Sequence, residues 1–183
     1  MATAAYLALV LARTWTTYTK GGVRVIGGAI GDDQVGTQWV WWWTAFAVRN
    51  GEPVLDAGWT FYPWGIYPLG QFNLVDAFIA LPFELALGPY WGFDAAVVFM
   101  LVSTALAVHG VARWEGARPL AAATAGTLVL CSQFITLEIT TGRIGQAFLA
   151  LLVLCLGLWR QVARRGGLGW GAAAGVVSAL CFL

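Results

Sequence analysis

Four apolar runs, 93–111, 120–137, 144–159 and 168–183, follow one another with only short polar breaks between them. Each is close to the roughly 20 residues that a bilayer core demands of a helix. Composition points the same way. Sixty per cent of the 183 residues are apolar and only 10% are charged, against roughly 25% charged in a soluble domain. Mean hydropathy is +0.74. The expectation is an all-α, polytopic transmembrane helical bundle whose first partner is the lipid bilayer itself.

Several functions are excluded early. The net charge is +1 and the ten Lys and Arg residues are scattered, so no nucleic-acid partner is expected, because phosphate binding needs clustered cations. Cys131, Cys155 and Cys181 each sit in an apolar run without CxxC spacing or a neighbouring histidine. They read as small hydrophobes rather than as a zinc site or a disulfide framework. There is no HExxH, P-loop or GxSxG string, and the lone His109, near the end of a run, reads as a hydrogen-bonded structural histidine.

A first helix is expected over about 2–18, an uncleaved anchor in which Arg13 snorkels and Trp15 and Tyr18 lie at an interface. The segment of about 19–90 carries Asp32, Asp33, Arg49, Glu52 and Asp56 among glycines and prolines, so it is read as a long external first loop. Within it, 34–48 places Trp39, Trp42, Trp43 and Phe46 on one helical face, and Asn50-Gly51 supplies a stop. A helix of that kind suits the membrane surface. The stretch 73–88, interrupted by Asp76, Pro82 and Glu84, reads as a second interfacial helix. Arg113 and Arg118 flank one later connection and Arg160, Arg164 and Arg165 fill another, against the single Glu115. This bias turns both connections to the cytoplasm and leaves 20–90 and 138–143 outside. The last run is still apolar at Leu183, so the chain is expected to be a truncated part of a longer protein.

Chemistry should then lie outside, where two connections hold ionisable groups: the Asp32-Asp33 pair, and Glu138 followed by Arg143. The strings GDDQVGTQWVWWW (31–43), NGEPVLDAGWTFYPWG (50–65) and ALGPYWGFDAA before the first clean run resemble the N-terminal half of polytopic C-type glycosyltransferases, the GT-C superfamily. The order of first helix, long acidic loop, interfacial helices and short-looped spans is similar too. LEITTGRIGQAFLALLVLCLGLWRQVARR (137–165) is similar to the second external connection and following span of bacterial members. The resemblance implies transfer of a sugar from a polyprenyl-phosphate donor to an acceptor on the extracytoplasmic side, in the inner membrane of a bacterium. It assigns the catalytic base to Asp32 or Asp33, and turns Glu138, Arg143 and Gln146 to the same cavity. Trp39 and Tyr62 complete the candidate substrate contacts. No C-terminal acceptor site is recognisable, so acceptor binding is expected to draw on a longer protein than these 183 residues.

The chemistry suits those residue types. A carboxylate within hydrogen-bond reach of an acceptor hydroxyl takes its proton, while a cation offsets charge on the departing phosphate. Arg143 supplies a planar fork for phosphate. A divalent cation held by the aspartates and Glu138 is the alternative. Each residue also has a plainer role. Asp33 is placed to cap a helix beginning near Gln34, Glu138 and Arg143 to form an external ion pair, Trp39 to anchor at an interface, and Tyr62-Pro63 to form a turn. Two other functions remain beside the transferase: a transporter or flippase for a lipid-linked substrate, and a non-catalytic membrane scaffold. A transporter would place ionisable residues in mid-span, whereas the four clean runs hold only Asp94 and His109, near their ends.

Overall fold

The structure, a computed structural model, describes residues 2–18, 26–27, 32–56 and 74–181, without the side chains of 16–18, 32 and 33. Helix is the only regular structure among them: α1 (Ala2–Tyr18), α2 (Asp32–Asn50), α3 (Leu74–Trp114), α4 (Pro119–Leu130), α5 (Gln133–Thr140), α6 (Ile144–Ala147), α7 (Ala150–Arg165) and α8 (Leu168–Cys181). Only helices satisfy their own backbone groups within a bilayer when no closed barrel is formed, and the fold is all-α as the apolar runs require. Three stretches are long and apolar enough to cross a membrane: Leu74–Trp114, Pro119–Thr140 and Ile144–Arg165. The protein is a membrane protein. The last run appears as the shorter apolar helix α8.

The chain divides into two compact units, one of 1–15, 98–138 and 146–182, the other of 16–97 and 139–145 with Leu183.

In the first unit, polar contacts between helices fix their packing. The Tyr6 hydroxyl of α1 donates to the Ala123 carbonyl of α4 at 3.1 Å and lies 3.0 Å from His109 Nδ1 of α3. His109 is thus a hydrogen-bonded structural residue. Gly126 faces the same hydroxyl at a distance that leaves no room for a Cβ. The run expected as one span over 120–137 is broken. Cys131 closes α4, its N–H donating to the Thr127 carbonyl at 2.9 Å, and Ser132 opens α5 by accepting the Ile135 N–H at 3.3 Å. Arg13 of α1 donates to the Leu130 carbonyl at this break and to Thr136 Oγ1 at 2.6 Å. Its charge is met by polar groups of the protein, where the sequence reading had the side chain snorkel to an interface. The next run is broken as well, between α6 and α7, where the Leu149 N–H finds the buried Thr104 hydroxyl at 3.1 Å. It then continues as helix to Arg165, beyond the expected end at 159.

α7 and α8 pack along each other. Ser178 of α8 donates to the Ala174 carbonyl, accepts the Trp159 indole N–H at 3.0 Å and lies 3.2 Å from Cys155 Sγ. The Cys181 thiol is within hydrogen-bond reach of Cys155. Sequence spacing gave no sign of this pair, because 25 intervening residues had to fold first. Oxidation of the detergent-purified protein with copper phenanthroline is therefore expected to remove two of the three maleimide-reactive thiols and leave exposed Cys131 reactive. Peptide mapping that finds Cys131 in the crosslink, or no crosslink, would contradict this packing.

In the second unit, α2 ends as its sequence predicts. Gly51 takes φ +69° and the Glu52 N–H reaches back to the Ala47 carbonyl at 2.9 Å, the C-terminal closure that favours glycine. Its aromatic face is turned into protein rather than laid bare. Trp43 is buried, stacks on Trp39 and Phe46, and donates its indole N–H to the Val54 carbonyl at 3.0 Å. Trp41, on another face, is buried against Phe93 at 4.9 Å between ring centroids. A helix that is apolar on most of its circumference is covered by protein on most of it.

The 41-residue α3 would be roughly 60 Å long if straight, about twice a bilayer core. It is not straight. Gly88 takes φ +79° and ψ 179°, with Pro89 next, and separates an arm of 74–87 from one of 89–114. The chain turns back so sharply that a Cβ on Gly92 would stand 2.7 Å from Glu84 Cα and 2.7 Å from the Phe83 carbonyl oxygen. Eight residues of straight helix would separate 84 and 92 by about 12 Å. The boundary read at 88 is therefore a corner between two helices.

Candidate functional site

Residues that the sequence singled out converge in the second unit, around the start of α2. Asp32 and Asp33 are its first two residues, so the helix opens two residues earlier than expected. Asp33 then lies in the first turn, where a carboxylate meets the positive end of the helix dipole. The side chains of both lie outside the described residues. Gln34, next in the chain, is buried and donates its amide to the Ile26 carbonyl at 3.3 Å. The Ile26 N–H donates in turn to Asp94 Oδ1 at 2.7 Å. One buried loop residue thus ties the start of α2 to the second arm of α3.

The connection 139–145 approaches the same place. Gly142 rests so closely on Gln34 that an added Cβ would meet the Cβ, Cα and backbone N of that residue. Arg143, half-buried, directs its Nε to Thr141 Oγ1 at 3.3 Å. Gly145 lies against the carboxylate of Asp76, again with no space for a Cβ. The backbone carrying Asp32 and Asp33, the connection carrying Arg143 and the first turn of α3 carrying Asp76 are therefore neighbours within one unit.

The other candidates are not among these contacts. Glu138 is buried and Gln146 is exposed, both in the first unit. Trp39 is half-buried, its ring stacked on Trp43 at 6.2 Å with 7° between planes, so that one of its faces is taken by the core. Tyr62 lies outside the described residues. Among the described residues no group of three or more His, Cys, Asp or Glu side chains is arranged to hold a metal ion.

Sequence reasoning passed over three acids. Asp76, Glu84 and Asp94 are all buried. Among the described residues, Asp76 Oδ1 and Glu84 Oε1 have no hydrogen-bond partner. Arg49 reaches the Glu84 corner through its guanidinium, which donates to the Leu85 carbonyl at 2.5 Å. Acids inside an apolar run are expensive and so mark function or a specific partner. That signal was present at 76 and 84, but it was read only as an argument against a membrane span.

Comparison with protein-family models, with curated proteins and with solved structures found no match.

Proposed function

We propose that the protein is a membrane glycosyltransferase that moves a sugar from a polyprenyl-phosphate donor to an acceptor on the extracytoplasmic side. The observation that carries this reading is the contact of Gly142 with Gln34, which places the connection bearing Arg143 against the start of the helix bearing Asp32 and Asp33. Displacing a sugar from a lipid phosphate requires two unlike groups. A carboxylate must take the acceptor proton, and a cation must meet the charge left on the phosphate. In this arrangement Asp32 or Asp33 is the base and Arg143 holds the phosphate. A divalent cation on the aspartates would serve in the place of Arg143.

A carrier for a lipid-linked substrate is the second reading. It rests on Asp76 and Glu84, buried acids in the first arm of α3 whose Oδ1 and Oε1 have no hydrogen-bond partner among the described residues.

Membranes containing the protein, supplied with a labelled polyprenyl-phosphate sugar and a lipid or protein acceptor, test the first reading directly. Transfer above that of membranes lacking the protein is expected. Arg143→Lys should lower it by at least about tenfold, because a point charge loses one of the two parallel hydrogen bonds that the guanidinium makes. Movement of the labelled donor across vesicles without transfer would favour the carrier. Neither transfer nor movement would leave the scaffold.

A further inference from the structure

We propose that the arginine-rich end of the first unit is a binding surface for anionic phospholipid headgroups. Four helix ends lie there. α3 closes at Trp114, α4 opens at Pro119, and the α7–α8 turn runs from Arg165 to Leu168. Glu115 joins them, its Oε2 accepting from Arg160 Nε at 2.6 Å and from Arg164 Nη1 at 3.0 Å. The rings of Trp114 and Trp170 meet edge to face at 6.3 Å.

Charge is concentrated on this end. Arg113, Arg118, Arg160, Arg164 and Arg165 face the single Glu115, a net charge of +4 on two short connections and the helix turns beside them. Glu115 does not neutralise the cluster, since one oxygen serves two guanidiniums whose side chains remain 58% and 52% exposed. Arg113 directs Nη1 to the Ala117 carbonyl at 2.6 Å. Arg165 lies over the Trp170 ring, 5.7 Å from its centroid. A guanidinium held by its face keeps its edge N–H groups free for phosphate.

The surroundings select a lipid over a soluble anion. Leu168 is 93% exposed and Leu120 80%, and Trp159 and Trp114 are also exposed. Apolar and aromatic side chains bare to the outside, directly beside exposed arginines, match the boundary between acyl chains and phosphates. A free phosphate or an acidic peptide would use the arginines and leave those leucines in water. The surface is built from the first unit alone and does not depend on the transferase reading.

Native mass spectrometry of the protein in a neutral detergent tests the proposal, with phosphatidylglycerol and phosphatidylcholine of identical acyl chains as probes. Phosphatidylglycerol is expected to bind about tenfold or more tightly than phosphatidylcholine. An arginine near an anionic headgroup contributes about fivefold, so the double variant Arg118→Gln, Arg165→Gln should weaken phosphatidylglycerol about 30-fold. The variant Arg118→Lys, Arg165→Lys, which keeps the charge, should stay within a few-fold of the parent and controls for folding. Equal retention of the two lipids, an unaffected Gln variant, or a Lys variant as weak as the Gln variant would each overturn the proposal. So would displacement of the lipid by millimolar inorganic phosphate, which would make this a site for the free anion.

Discussion

Gly92→Val is expected to destabilise the protein by about 3 kcal/mol or more, enough to prevent recovery of folded material from detergent. The corner at Gly88 brings the second arm of α3 onto the first. The three atoms nearest to a Cβ at 92 are all backbone: Glu84 Cα at 2.7 Å, the Phe83 carbonyl oxygen at 2.7 Å and the Glu84 nitrogen at 2.8 Å. Side chains at a crowded contact can change rotamer, but helical backbone can yield only by moving the whole arm. That movement would also disturb Phe93 against Trp41 and the bond from Ile26 to Asp94. Even Gly92→Ala should lower the melting temperature clearly. Gly110→Ala is the matched control, because it lies in the same helix with nothing within 4 Å of an added Cβ. Relieved of glycine's entropy cost, that variant should be neutral or up to about 1 kcal/mol more stable. Equal melting temperatures for the two variants would show that the corner is not packed as described.

Replacing both Asp32 and Asp33 by Asn should remove most sugar transfer, by roughly 10² or more if either is a positioned base. The same change should disturb folding little. At the start of α2 a carboxylate gains about 0.3–1 kcal/mol from the helix dipole, and Asn keeps the size and part of the hydrogen-bonding capacity of Asp. Loss of transfer with a melting temperature nearly unchanged would therefore identify chemistry. The single variants should be unequal, since one acceptor proton needs one base. Retention of full transfer by the double variant, with any acceptor that the parent uses, would reduce the aspartates to charges at a helix end and remove the catalytic assignment.

How far the sequence discloses such a molecule depends on the range of the interactions involved. Residues 2–18 were expected as a helix and form one with those bounds, because the apolar run that opens it is a local signal. Asn50-Gly51 stops α2 for an equally local reason. The break at Cys131-Ser132 was harder to see, since both sides are apolar, although a serine three residues before a free backbone N–H is a start signal. Contacts between distant segments were not legible. Nothing near Gln34 announces Gly142, and nothing near Ile26 announces Asp94, 68 residues away. The acids at 76 and 84 were visible but misweighted: burial depends on which surfaces close over a side chain, and those surfaces come from elsewhere in the chain. The same holds for the tryptophans of α2, whose spacing fixes a face but not what covers it.

The contacts of α1 have a consequence for synthesis. Arg13 finds its acceptors at Leu130 and Thr136, and Tyr6 finds Ala123, each more than a hundred residues later. At roughly 5–20 residues per second, the 117 residues that follow Arg13 up to and including Leu130 take about 6 to 23 s to make. For that interval the first helix has left the ribosome while the groups that will receive its arginine and its tyrosine hydroxyl do not yet exist. The insertion machinery must hold a charged, incompletely satisfied helix until α4 and α5 arrive. A ribosome that pauses between residues 18 and 119 lengthens that wait, and a faster one shortens it, so the yield of inserted protein should follow the speed of translation through this window.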